Sequence, residues 1–413
     1  MIRVVDVVVP RRLGTSFRWL LGSSWASNLG DGILVAAGPL LVASQTRDPL
    51  LVALAALLQR LPWLVFGLYA GVLADRLDRR RIVIVADASR VVVIAGLVAC
   101  LVTGEASIGV VLMVLFLLGV AETFADTASQ TLLPMLVQPR DLGTANARLN
   151  GGFIVVNQLA GPPIGAALFA AGMAVPFLVQ ALCVAAGVLL VARVRLPSRG
   201  RRAVQRGRAL ADIRQGWHWL WHHPPVRTLA ITIFTFNVTF GAAWSVLVLY
   251  SQERLGMGSI GFGAITTASA LGGLVGTASY GWLERHVSLG NIMRGGLVIE
   301  TLTHLVLAVT TTPWVAMPVF FVFGAHAFVW GTTSTAVRQR AVPTEFQGRV
   351  GAVYMTAVVG GLVLGAAVGG VVARTGGLTA PFWFGFVGSA LILAFIWKSL
   401  VQIVHMEPAA APA

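Results

Sequence analysis

The stretch GVLADRLDRRR, residues 71–81, decides how the rest of the chain is read. It closes the apolar run ALAALLQRLPWLVFGLYAGVLA (53–74) and then places Asp75, Arg76, Asp78, Arg79, Arg80 and Arg81 within seven residues. Crossing a bilayer as a helix takes about 20 apolar residues. Abrupt charge after such a run marks the point where a spanning helix meets water. The rest of the 413 residues agrees: 57% are hydrophobic, only 11% are charged, and the mean hydropathy is +0.82. A soluble domain carries roughly 25% charge, so most of this surface must face lipid.

The net charge of +14 does not point to nucleic acid, because the arginines lie between apolar runs. That is the distribution which the positive-inside rule assigns to cytoplasmic loops. Cys100 and Cys183, the only cysteines, both sit inside apolar runs and form no disulfide framework. The first residues, MIRVVDVVVPRRLG, are not a secretory signal, since Asp6 and Pro10 interrupt the apolar stretch. The N-terminus is expected to be retained.

Twelve spans are predicted: 17–43, 50–73, 82–103, 108–133, 148–171, 174–193, 228–250, 261–283, 291–311, 314–337, 350–372 and 380–401. Helices are required, because barrel strands would be short and alternating. One set of loops, with the termini, receives most of the arginines; the other receives only Arg47, Arg254 and Arg374. Both termini are therefore expected in the cytoplasm of a multi-pass protein of the cell (plasma or inner) membrane.

The expected organisation is a six-helix half over 1–193, a cytoplasmic linker over 194–227 and a second six-helix half over 228–413. The linker begins with the basic RLPSRGRRAVQRGR. It continues as ALADIRQGWHWLWHH, where Leu210, Ile213, Trp217 and Leu220 fall at helical spacing. Two readings stay open for that helix. It lies in the membrane interface with Trp219 and Trp221 at headgroup level, or it packs under the bundle.

The halves look like repeats. Asn28 and Gly32 in span 1 match Asn237 and Gly241 in span 7, both at an offset of 209. The exits of these spans read SQTR (44–47) and SQER (251–254). Gln130 and Pro134 match Gln339 and Pro343 at the same offset, and Gly161-x-x-x-Gly165 has a counterpart in Gly365-x-x-x-Gly369. Parallel repeats of this kind are one transporter design.

The 71–81 stretch resembles the loop between helices 2 and 3 of the major facilitator superfamily, Gly-x-x-x-Asp-Arg-x-Gly-Arg-Arg. Gly71, Asp75, Arg76, Arg79 and Arg80 fit that pattern, and Asp78 replaces the usual glycine. The loops QTLLPMLVQPRDLGTANA (130–147) and VRQRAVPTEFQGRV (337–350) are similar to those of the subgroup with the enterobactin exporter and macrolide efflux proteins. The resemblance implies an all-α fold of twelve transmembrane helices in two pseudo-symmetric halves. It also implies that Arg79 pairs with an acid low on span 4, here Asp126, in a latch that opens when the cytoplasmic side opens. In span 5, NQLAGPPIGA resembles the superfamily's antiporter motif through Gly161, Pro162 and Gly165, with Asn157 and Ala166 substituted. The glycines permit close helix approach, and Pro162 and Pro163 permit a bend.

A charge at the bilayer centre costs about 2.5–3.5 kcal/mol on insertion scales, so each one is a candidate for function. Asp31 and Arg60 lie at matching depths on the first hairpin and are expected to pair. Glu122 lies midway along span 4, with Asp126 one turn away. Glu300 and His304 share a face of span 9, and His326 lies mid-span 10. Asp87 and Arg90, towards the cytoplasmic end of span 3, pair with each other or with the 71–81 loop. Many proton-coupled exporters of the superfamily carry an arginine in helix 4; span 4 has none, and Arg60 is the expected substitute.

No phosphate-binding loop, metal-ligand spacing or soluble domain supports an enzyme, a metal site or a cofactor. The expected function is a proton-coupled exporter of a small, moderately hydrophobic molecule such as a drug, siderophore or natural product. Asp31, Glu122, Glu300 and His304 would handle protons, with Trp25, Phe240 and Trp244 lining the cavity. Its partners would be lipid, protons and substrate, with the chain monomeric. A proton-coupled uptake transporter and a non-transporting scaffold of the same fold are the alternatives.

Overall fold

The structure is a computed structural model that describes residues 11–196, 209–343, 345–398 and 400. The start of the chain, most of the basic linker and the side chain of Asp75 lie outside the described residues. Among the described residues ten helices are long and apolar enough to cross a membrane, and two 17-residue apolar helices, Val175–Val191 and Ala380–Ile396, complete twelve.

In chain order the first six are α1 (Gly14–Gln45), α2 (Pro49–Arg76), α3 (Arg79–Thr103), α4 (Ile108–Leu136), α5 (Pro139–Ala171) and α6 (Val175–Val191). The short helix α7 (Ala209–His222) precedes the last six. These are α8 (Pro224–Ser245), α9 (Ser259–His286), α10 (Leu289–Val309), α11 (Pro313–Ala341), α12 (Gln347–Gly376) and α13 (Ala380–Ile396).

Local chemistry sets the helix ends. Asp78 caps α3 by accepting from the Arg81 amide at 3.1 Å, so the residue that departs from the superfamily pattern starts the next span. Gly104 ends α3 at φ 78°, a left-handed conformation that favours glycine. Ser107 and Ser288 cap α4 and α10, and prolines occupy the first turns of α6, α8, α11 and α13.

The chain divides into two compact units. The first comprises Met1–Thr46, Leu58–Gly207 and Phe262–Thr267; the second comprises Arg47–Leu57, Arg208–Gly261 and Ala268–Ala413. The start of α2 therefore belongs with the second unit, where Ala53 packs with Val246 and Ala373. The two repeats share one packing device. In the first unit, a methyl at Gly161 would lie 2.5 Å from the Gly32 Cα, so α1 and α5 touch backbone to backbone. In the second, a methyl at Gly365 would lie 2.9 Å from the Gly241 Cα, and the same holds for α8 and α12. An asparagine accompanies each contact: Asn157 Nδ2 donates to the Asn28 carbonyl at 3.3 Å, and Asn237 Nδ2 to the Val358 carbonyl at 3.1 Å.

The repeats differ at the prolines. Pro162 and Pro163 have no amide hydrogen to donate back along α5. The turns before them, Phe153–Ala160, widen into a π-helix. The helix α12 has no proline at the matching place and runs as 30 continuous α-helical residues.

The helix α7 packs on the start of α12. Asp212 pairs with Arg349 at 2.8 Å, Leu220 enters the core and Trp219 stacks near Phe346 at 6.1 Å. This settles which face of α7 is covered and corrects the expectation for its tryptophans. Trp219 is half-buried, whereas Trp217 and Trp221 are exposed.

Candidate functional site

In the first unit the intramembrane charges converge on Arg90. This residue lies 11 positions after the start of α3 and 13 before its end. Its side chain is 1% exposed. Nη1 donates to Asp87 Oδ1 at 3.1 Å, one turn away on the same helix, and Nη2 donates to Asp31 Oδ1 on α1. Glu122 and Asp126, stacked one turn apart on α4, lie within electrostatic reach of both Arg90 and Asp31. Arg60 on α2 acts on Glu122.

This corrects two expected pairings. Asp31 meets Arg90 rather than Arg60, because equal depth on a hairpin fixes height but not the side of the helix that faces inward. Asp126 belongs to the Arg90 group rather than to Arg79. Arg79 instead donates from Nε to the Ala74 carbonyl at 3.1 Å and from Nη1 to the Thr131 carbonyl at 3.0 Å. Arg80 donates to the Ala192 carbonyl. The 71–81 loop thus holds carbonyls near the ends of α4 and α6. Arg76 is exposed, and a methyl at Gly71 would meet nothing within 4 Å.

Behind Asp31, Gly30 lets α6 approach: a methyl there would lie 3.3 Å from Gln180 and from Cys183. Gln180 is fully buried, and neither of its amide atoms has a hydrogen-bond partner among the described residues. Sequence reasoning missed both Arg90 and Gln180 as members of this site. One signal for Arg90 was present: it is the only cation between Ile82 and Thr103.

The second unit is built differently. Glu300 Oε2 lies 3.4 Å from His326 Nε2, which joins α10 to α11. His304 shares the Glu300 face but turns its Nδ1 to the Glu300 carbonyl at 2.8 Å, so the carboxylate's partner is His326. Four aromatic rings stand beside this pair. Phe240 stacks on Phe323 at 5.4 Å, and Trp244 lies 4.6 Å from Phe323 and 5.8 Å from Phe320. Trp244 also meets His304 edge-on at 6.1 Å. Of the expected cavity residues, Phe240 and Trp244 are thus brought together. Trp25 instead packs in the first unit against the Gly152 backbone and the core around Leu21.

Comparison with known proteins is consistent with this architecture. The family described as transmembrane secretion effector matches residues 9–412. The multidrug efflux pump Tap of Mycolicibacterium fortuitum is 29% identical over 384 residues, covering 88% of this chain and 90% of that protein. Macrolide efflux protein A of Streptococcus pyogenes is 24% identical over 341 residues, covering 79% and 82%. Among solved structures, a mutant form of the nucleoside transporter NupG superposes with a TM-score of 0.76 at 12% identity, covering 94% of this chain and 100% of that one. That last likeness is one of fold. The twelve helices, the paired halves and the match along nearly the whole chain lead to one conclusion: this protein belongs to the transmembrane secretion effector family of the major facilitator superfamily, whose members are membrane transporters and not enzymes.

Proposed function

We propose that the protein is a proton-coupled exporter that moves a small, moderately hydrophobic molecule out of the cell by alternating access. The observation that carries this reading is the Arg90 cluster. Four carboxylates, Asp31, Asp87, Glu122 and Asp126, share two guanidiniums, Arg90 and Arg60. The formal excess is two negative charges along membrane-spanning helices: Asp87 and Arg90 are buried, Asp31 and Glu122 half-buried, and Asp126 and Arg60 exposed. Like charges held close together repel, and binding protons relieves the repulsion. Asp31 and Glu122 are the proposed carriers in this half, with Glu300 in the other, where His326 holds its carboxylate. Arg90 takes the place of the arginine that helix 4 lacks.

In the aromatic cluster Phe320 and Phe323 are buried, and the half-buried Phe240 and Trp244 are the rings that suit a substrate with an apolar body. The efflux roles in the names of two relatives support the outward direction. The 71–81 loop acts as the latch between states, through the carbonyls held by Arg79 and Arg80. The π segment at Asn157, followed by Gly161, Pro162 and Gly165, lets α5 bend over α1 as states exchange. The chain works as a monomer with both termini in the cytoplasm.

The test has two stages. An efflux and susceptibility screen of the expressed protein over a chemically diverse panel identifies a substrate. Transport of that substrate into inverted vesicles then stops when the proton gradient is collapsed and persists without ATP while the gradient is held. Transport that needs ATP, or that ignores the gradient, would refute the proposal.

A further inference from the structure

The helix α7 covers only one of its faces. Ile213, Trp219 and Leu220 pack on the second unit, and a methyl at Gly216 would lie 2.6 Å from the Arg349 carbonyl oxygen. The other face exposes Arg214, Gln215, Trp217, His218, Trp221 and His222. Trp217 and Trp221 are 55% and 46% exposed, and their rings stack on each other at 5.6 Å. Arg227 lies over the Trp221 ring at 5.9 Å and donates to the Trp221 carbonyl at 3.2 Å. The acid on this helix, Asp212, is turned to Arg349 at 2.8 Å. The uncovered face therefore combines two large amphipathic rings with arginines and carries no acid.

Its position matters as much as its chemistry. Only His223 separates α7 from Pro224, the first residue of a membrane span. Trp217 and Trp221 are thus within two helical turns of the bilayer boundary. Tryptophan concentrates at that level because its ring is apolar and its N–H is polar. Basic side chains there attract anionic headgroups. We propose that the uncovered face of α7 is a binding surface for anionic phospholipid, with Trp217 and Trp221 seated among the headgroups and Arg214 and Arg227 on the phosphates. Asp212 and Gly216 fasten the surface to the first turn of α12, so bound lipid would hold that end of span 11.

The test uses the full chain in nanodiscs. A cysteine at Gln215, in a Cys100→Ser and Cys183→Ser background, carries an environment-sensitive fluorophore, and phosphatidylglycerol is titrated into phosphatidylcholine. The emission is expected to shift to the blue and saturate. Arg214→Gln should raise the half-saturating phosphatidylglycerol fraction about fivefold, the factor one basic residue supplies at an anionic surface. Trp217→Ser should reduce the shift, and Arg140→Gln should leave it unchanged. Native mass spectrometry of the unsubstituted protein provides a check independent of the cysteine background, and preferential retention of phosphatidylglycerol is expected. Equal emission in both lipids with no preferential retention would overturn the proposal. So would a shift that follows protein concentration instead of lipid composition, which would mark the face as a contact between copies.

Discussion

The two units solve the problem of intramembrane charge in opposite ways. The first gathers many charges around one arginine: Arg90 holds Asp31 and Asp87 directly and acts on Glu122 and Asp126. The second keeps a single carboxylate, Glu300, against the imidazole of His326 and surrounds it with aromatic rings. Glycine packing, by contrast, is shared, since α1 and α5 meet as α8 and α12 do. The repeats have therefore kept the scaffold and diverged in the chemistry it carries. One half concentrates charge, and the other packs aromatic rings beside a single acid–histidine pair.

The largest effect should come from removing the hub of the charged half. Arg90→Met leaves Asp31 and Asp87 buried without their cation, and breaking a buried pair in this way costs about 3–5 kcal/mol. A large fall in thermal stability is expected in detergent. Adding Asp31→Asn and Asp87→Asn should restore part of it, because the two acids that Arg90 held directly are then neutral, while Glu122 and Asp126 remain with Arg60. His326→Phe tests the other half and should cost less, about 1–3 kcal/mol, since it removes one partner of one carboxylate. Equal losses in the two variants would erase the contrast between the units.

The shared scaffold makes a sharper prediction. Gly32→Ala would bring a methyl within 2.9 Å of the Asn157 Cα, and Gly365→Ala within 2.9 Å of the Gly241 Cα. Each should destabilise by about 1–3 kcal/mol through overpacking, and the two should match. Gly96→Ala meets open space and should be neutral or gain up to about 1 kcal/mol from helix propensity. A difference between Gly32→Ala and Gly365→Ala beyond that range would show that the halves are not packed by the same means. The smallest effect is expected where α2 begins. Arg47 meets Glu253 at 3.5 Å and Asp48 meets Arg374 at 3.7 Å, both near the surface. Arg47→Ala should cost no more than about 1 kcal/mol in thermal stability.

The spans, the six-plus-six order and the glycine contacts were legible in the sequence because each is written locally or periodically. Gly32 and Gly241 were flagged by an offset of 209 and occupy matching contacts. Asn28 and Asn237 share the offset but not the contact, since Asn28 Nδ2 donates to the Ser24 carbonyl within α1 and Asn237 Nδ2 to the Val358 carbonyl of α12. The partners of the buried charges were less legible. Depth along a helix can be counted, but the direction a side chain takes depends on how neighbouring helices rotate. Arg60 and Asp31 share a depth yet look different ways. Arg90 was hidden by Asp87, whose spacing of three residues gives it a local partner and masks the longer reach to α1. His304 was favoured over His326 for a similar reason: spacing on one helix is visible in a sequence, and a contact from α10 to α11 is not.

The central claim is that the Arg90 cluster carries the proton coupling. The direct measurement reconstitutes the protein in proteoliposomes with a substrate found by the efflux screen. It compares exchange without a gradient with accumulation driven by an imposed pH difference. Asp31→Asn is expected to keep exchange and lose accumulation, because it removes an acid held by Arg90 without emptying the aromatic wall. Full gradient-driven accumulation in Asp31→Asn, Glu122→Gln and Asp126→Asn alike would contradict the claim.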